Sequence, residues 1–242
     1  MQPNKITILG SGSCNLVPER MAASALIQYD GKNFVYDFGR GTAIRLTQLG
    51  LKQDDVKTVI LSHFHPDHVT DLLPFLQAAS WSQIDRRSED LTIYGPPGVK
   101  EFIAKLASIF GGEETARGFS LKTIELKTGR NEIDGFSFDF VDLHHSHGIR
   151  FEVRNRDYSL MADSSLHDDL VQGLSGVELG IFDSGHLTDE EIAELAAKSH
   201  AKRLVCSHQY RQLDRGMLAQ QAAAKGFDGE LVVADDLMEF NL

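Results

Sequence analysis

Residues 59–76 read VILSHFHPDHVTDLLPFL and set His63, His65, Asp67 and His68 within six positions. Imidazoles at that density repel one another when protonated and lack partners when buried, so a structural role alone does not account for them. Neutral imidazole and carboxylate are the donors of a divalent metal site. Residues two apart in an extended or turn segment point the same way, so His63 and His65 can address one ion. Asp67 and His68 follow the turn imposed by Pro66 and face a second position. Two ions about 3.5–4 Å apart are the usual spacing of a two-metal hydrolase. Nitrogen-rich ligation with carboxylates suits Zn2+, with Mn2+ or Fe2+ as alternatives.

Other apolar segments close in the same way. FDFVDL runs into HHSH with His144, His145 and His147, YSLMA into DSS with Asp163, ELGIF into DSGH with His186, and RLVCS into HQY with His208. Ligands of α/β sheets gather at the carboxyl ends of strands. A lone His or Asp there is more often a hydrogen-bonded loop residue, but five such ends form a constellation. His167 and His200 fit none of it and read as surface residues.

The elements that must position these residues are legible from periodicity. KITILGSGS is a strand entering a Gly/Ser turn, and SALIQYDGKNFVYDFG is two strands joined at Asp30-Gly31, a strong hairpin signal. TAIRLTQLG has helical spacing with a stop at Gly50, VKTVILS is a strand, and HVTDLLPFLQAASW is a helix that Pro74 either kinks or opens. LTIYGPPG is a strand, VKEFIAKLASIF (residues 99–110) an amphipathic helix, and GFSFDFVDLHH alternates as a half-buried strand. IRFEVRNRDYSLMADSS gives two strands about a turn at Asn155 to Asp157. VELGIFDSG is a strand, TDEEIAELAAKSH a helix opened by the capping box Thr188 to Glu191, and KRLVCSHQY a strand. A helix in RGMLAQQAAAKG and a strand in ELVVA complete the pattern of two sheets with helices outside.

The chain has 242 residues with no low-complexity linker, which is read as one domain over 1–242. No apolar run approaches the roughly 20 residues of a membrane span, and the N-terminus lacks a charged segment followed by an apolar one, so a soluble, cytoplasmic protein is expected. Cys14 and Cys206 are the only cysteines, which excludes a disulfide framework and a thiolate metal site. A formal charge of −11 argues against a broad nucleic-acid surface.

SHFHPDH resembles the H-x-H-x-D-H signature of the metallo-β-lactamase superfamily. The N-terminal stretch ILGSGSCNLVPERMAASALIQYDGKNFVYDFGRGTAIRLTQLGL and the segment IYGPPGVKEFI are similar to its ribonuclease Z-like branch. The resemblance implies an α/β fold, the αβ/βα four-layer sandwich of two mixed sheets flanked by helices, with two divalent ions. It assigns His63, His65 and His145 to the first ion, Asp67, His68 and His208 to the second, and Asp163 as the bridge. HHSH also offers His144 and His147. His145 is chosen because a small polar residue, Ser146, follows it as is common in the family, and because alternation puts it on the face of Val141 and Leu143. His186, before the capping box, resembles the branch's acid near the scissile phosphate. A homodimer is a further implication.

The implied chemistry is hydrolysis by hydroxide, available at neutral pH when the pKa of water falls from 15.7 toward about 7. Asp67 orients the hydroxide and takes its proton, and His186 serves the leaving oxygen. The chain lacks the long inserted arm with which ribonuclease Z holds tRNA, which with its negative charge favours a small or cyclic phosphodiester over nucleic acid. The alternatives are ribonuclease Z-like RNA processing, a carboxylic ester or lactone hydrolase, and a non-catalytic metal-binding subunit. Flavodiiron chemistry is disfavoured because His65 stands where a Glu is expected.

Overall fold

The computed structural model describes residues 3–109 and 116–242. The chain divides into two compact units, the first Met1–Gly10, Leu16–Leu126 and Asp236–Leu242, the second Ser11–Asn15 and Lys127–Asp235. Phe110, the last residue of the helix expected over 99–110, lies outside the described residues.

In the first unit β1 (Lys5–Gly10), β2 (Ser24–Tyr29), β3 (Lys32–Tyr36), β4 (Thr58–Ile60), β5 (Leu91–Gly95), β6 (Leu121–Glu125) and β14 (Glu239–Asn241) form one sheet, in the order β14-β1-β2-β3-β4-β5-β6. From β14 to β3 neighbours are antiparallel, and from β3 to β6 they are parallel. Helices α1 (Thr42–Gln48), α3 (Leu72–Trp81) and α4 (Val99–Ile109) bury Leu46, Leu72, Phe75, Leu76, Val99 and Ile103 against Leu9, Leu26, Val35, Val59, Leu61 and Ile93. The one-turn α2 (Pro66–Val69) follows β4.

In the second unit β7 (Gly129–Ile133), β8 (Phe136–Asp142), β9 (His147–Val153), β10 (Arg156–Met161), β11 (Leu179–Asp183), β12 (Arg203–Ser207) and β13 (Glu230–Val233) run in the order β13-β12-β11-β10-β9-β8-β7. Here β13 to β10 are parallel and β10 to β7 antiparallel. Helices α5 (Asp168–Gly173), α6 (Asp189–Ser199) and α7 (Arg215–Ala224) bury Leu170, Ile192, Leu195, Leu218 and Ala222 against Met161, Phe182, Leu204 and Cys206. No helix among the described residues is long and apolar enough to cross a membrane.

Local chemistry explains most of these elements. Asp30 and Gly31 both take positive φ, as a two-residue hairpin turn demands. The β9–β10 turn lies at Arg154 and Asn155, with φ of 50° and 61°, one residue earlier than expected, because Val153 pairs with Arg156. The helix expected over 68–81 is instead two pieces, with Pro74 in the first turn of α3, where no intrahelical N–H is lost. Strand β8 stops at Asp142 and does not continue to His145. The Leu143 N–H donates to the Ser146 carbonyl at 3.0 Å and His144 turns to φ 67°, closing a loop. His145 therefore lies in a turn, where strand alternation does not set the face it occupies.

The start of α6 carries its expected capping box: Thr188 Oγ1 accepts from the Glu191 N–H at 3.2 Å, and Glu191 Oε2 accepts from the Thr188 N–H at 2.8 Å. Thr188→Ala is expected to cost about 1 kcal/mol, read as a Tm lowered by roughly 2–4 °C, while Thr188→Ser keeps most of the stability. Equal melting of wild type and Thr188→Ala would remove the cap from the account of this helix.

Candidate metal centre

In the first unit the donors follow β4. His63 is buried, His65 is the exposed N-cap of α2, and Pro66 occupies the first helical position with the largely buried Asp67 and buried His68 behind it. The rings of His63 and His65 lie 4.6 Å apart, and those of His63 and His68 4.3 Å apart. The orientation of the His63 and His68 rings is set by Asp37, which follows β3 at φ 58° and is 2% exposed. Its Oδ1 accepts from the Ser62 N–H at 2.7 Å, and its Oδ2 accepts from the Ser62 hydroxyl and from His68 Nδ1, both at 2.8 Å. The Ser62 hydroxyl donates its one hydrogen bond to Asp37, so its oxygen accepts from His63 Nδ1 at 2.9 Å. Both imidazoles thus carry their proton on Nδ1 and turn Nε2 to a ligand, the arrangement that outer carboxylates impose on metal-binding histidines. Gly39 permits the close approach of this turn, since a Cβ there would lie 2.1 Å from the Asp67 carbonyl oxygen.

In the second unit the donors stand at the ends of parallel strands. Asp163 follows β10, Asp183 ends β11 and His208 follows β12 at φ 51°. Asp183 Oδ1 accepts from His208 Nδ1 at 3.0 Å and its Oδ2 from His186 Nδ1 at 2.5 Å. Burial pushes the Asp183 carboxyl up, but the hydrogen bonds from His186 and His208 outweigh it and hold it below its ordinary value. The same bond, with the charge of Asp183, raises His186 above the ordinary imidazole value against its partial desolvation. Tyr210 meets both rings edge-on, with centroids 5.2 Å from each.

The loop after β8 is tied to this group, because the Ser146 hydroxyl donates to the Asp163 carbonyl at 2.9 Å. Of its three histidines, His144 pairs with Asp169 and His147 stacks on Phe140 at 4.4 Å, while His145 offers a ring nitrogen within 4.8 Å of an Asp163 oxygen. His167 accepts the Leu170 N–H as the N-cap of α5, and His200 is the left-handed C-cap of α6. The structure therefore brings His63, His65, Asp67 and His68 together in one unit, and His145, Asp163, His186 and His208 in the other.

The donor set fits a divalent ion. Two ligands about 2.1 Å from one ion at a tetrahedral angle stand about 3.4 Å apart. His208 Nε2 lies 3.6 Å from Asp163 Oδ1, too far for a good hydrogen bond and close to that separation. Asp37, Asp183 and Tyr210 were not singled out in the sequence as site residues. The first two share one signal, an Asp at the end of an apolar strand in FVYDFG and GIFDSG.

The chain belongs to the metallo-beta-lactamase superfamily, whose family model matches residues 17–208. Its two mixed seven-stranded sheets flanked by helices are the fold of that class, it is a metal-dependent hydrolase, and it is similar to the superfamily's ribonuclease Z-like branch. A ribonuclease Z of Picrophilus torridus is 26% identical over 98% of this chain and 96% of its own length. One of Borreliella burgdorferi is 37% identical over 40% of this chain, a match that spans only 30% of that relative. Among solved structures, the metallo-beta-lactamase fold protein YhfI from Bacillus subtilis has a TM-score of 0.81 at 21% identity, covering all of both chains. A diphosphatase from the PhnP family has 0.74 at 18% identity, covering 99% of this chain and 98% of its own. Human tRNase Z, short form, has 0.70 at 22% identity, covering 98% of each.

Asp37→Asn keeps the size of the side chain but sets an amide against the Nδ1 proton of His68. Zn2+ affinity, measured by competition with a chromophoric chelator, is expected to fall by roughly 10–100-fold. Unchanged affinity would show that Asp37 does not orient a ligand.

Proposed function

We propose that residues 1–242 act as one binuclear hydrolase that cleaves a small or cyclic phosphodiester, with the ligand set that the family resemblance implies. His63, His65 and His145 would hold the first ion, Asp67, His68 and His208 the second, and Asp163 would serve both, with Zn2+ as the metal and Mn2+ or Fe2+ as alternatives. The observation that carries the reading is the pair of hydrogen bonds accepted by Asp183, whose two oxygens hold His208, read as a ligand, and His186, read as an acid, by their Nδ1 atoms. Divalent ions bound to such a set supply a hydroxide nucleophile at neutral pH and positive charge for phosphoryl oxygens.

The chain's own residues do the rest. Asp67 orients the attacking water and takes its proton. His186, held at Nδ1 by Asp183, presents Nε2 to the leaving oxygen, and the same carboxylate raises its pKa above the ordinary imidazole value. Arg211 steadies the following turn by donating to the Leu187 carbonyl at 2.9 Å and to Asp189 at 2.5 Å.

Two observations favour a small diester over tRNA. The chain carries a formal charge of −11, against the Lys/Arg excess that a large RNA surface draws on. The 301-residue alignment with the Picrophilus torridus ribonuclease Z is longer than the 242 residues here, so that relative has residues with no counterpart in this chain. The test combines elemental analysis of protein purified without chelator with a hydrolysis panel. Close to two tightly held ions are expected, with bis(p-nitrophenyl) phosphate and cyclic nucleotides cleaved faster than a lactone, a thioester or a β-lactam. Good turnover of lactones or thioesters with diesters untouched overturns the substrate class.

His186→Ala leaves the Asp183–His208 bond intact and is expected to retain both ions while turnover falls by roughly 10²–10⁴-fold. The loss should be smaller for a p-nitrophenyl ester, whose leaving group needs little protonation, than for an alkyl ester. Equal losses for the two esters, or depletion of metal, would make His186 structural or a ligand.

A further inference from the structure

Outside the proposed centre, the second unit gathers a further set of metal donors at the start of α5. His144 Nε2 lies 3.0 Å from Asp169 Oδ2, and His167 Nδ1 lies 3.8 Å from the same oxygen. The two imidazoles meet edge-on with centroids 4.6 Å apart. These separations bracket the roughly 3.4 Å between two ligands of one tetrahedral ion. We propose that His144, His167 and Asp169 form a third, separate site for a divalent ion of the Zn2+ class, with water completing the coordination.

The tautomer of His167 supports this. The Ser164 hydroxyl donates to the Ser165 carbonyl at 3.0 Å, so its oxygen accepts the Nε2–H of His167 at 2.8 Å. A ring whose far nitrogen donates to an outer acceptor presents the other lone pair, the arrangement seen in metal-bound histidines. That lone pair, on Nδ1, is on the Asp169 side and holds only the Leu170 N–H at 3.4 Å, a long bond that an ion replaces at little cost. His144 and Asp169, 71% and 51% exposed in their side chains, both line an open cavity of about 500 Å³ that gives the ion a path from solvent. A link to the proposed centre also exists, since the Ser164 N–H donates to Asp183 Oδ2 at 3.1 Å. Ser164 therefore touches both the carboxylate behind His208 and the ring that would hold the third ion.

The test is equilibrium dialysis of the full chain against Zn2+ alone, with metal counted per chain in wild type, His144→Ala and Asp169→Asn. Wild type is expected to carry one ion more than either variant, and that ion should exchange with solvent faster than those of the centre. The comparison reads a difference, so it holds whether the centre binds two ions or one. Asp169 belongs to no ligand set proposed for the centre, which separates the two readings. Loss of one ion in both variants supports the third site. Loss in His144→Ala alone would place His144 in the centre and overturn it, and equal counts in all three proteins would overturn it as well.

Discussion

The arrangement depends on two buried carboxylates placed where parallel strands end. A carboxylate out of water is costly unless its oxygens are hydrogen-bonded, and Asp37 and Asp183, each 2% exposed, meet that need through groups that matter for chemistry. Asp37 takes the Ser62 backbone and hydroxyl protons and the Nδ1 proton of His68. Asp183 takes backbone protons from Ser164 and Gly185 and the Nδ1 protons of His186 and His208. The bonds that make burial tolerable are the same bonds that fix the tautomer and direction of each imidazole. Each unit thus solves the same problem in the same way.

Strand direction explains why these carboxylates have company. Both sheets pass from antiparallel to parallel neighbours, and the parallel halves bring several carboxyl ends to one edge: β3 and β4 in the first unit, and β10, β11 and β12 in the second. An aspartate one residue past β3 therefore reaches residues past β4, and one at the end of β11 reaches residues past β10 and β12. Tight backbone approaches complete the arrangement. A Cβ on Gly185 would fall 2.2 Å from the Tyr210 ring and 2.4 Å from the His208 carbonyl oxygen, so only glycine lets these loops close.

Much of this was legible in the sequence where the signal is local. HFHPDH announces its chemistry by composition, Asp30-Gly31 marks its hairpin and Thr188 to Glu191 its cap, because each is a short-range preference written in a few residues. Asp37 and Asp183 were not, because an aspartate after a strand looks the same whether it caps a turn or orients a histidine across the sheet. The difference lies in which strand pairs beside it, a non-local fact. The histidines of HHSH were ambiguous for a related reason. Alternation cannot rank them once the Leu143–Ser146 turn ends the strand, and their partners Asp169 and Phe140 lie outside the motif.

In the proposed site one carboxylate, Asp183, serves two roles through His186 and His208. Their rings stack nearly parallel, with centroids 5.6 Å apart, and both give Nδ1–H to Asp183. They differ in exposure: the side chain of His186 is 39% exposed and that of His208 4%. A proton donor must recover its proton from solvent between turnovers, whereas a metal ligand must keep its lone pair for the ion and gains from exclusion of water. The exposed ring suits the first task and the buried ring the second. Because both hang on one carboxylate, a proton gained or lost at His186 changes the charge felt beside His208, so the two imidazoles are electrostatically coupled.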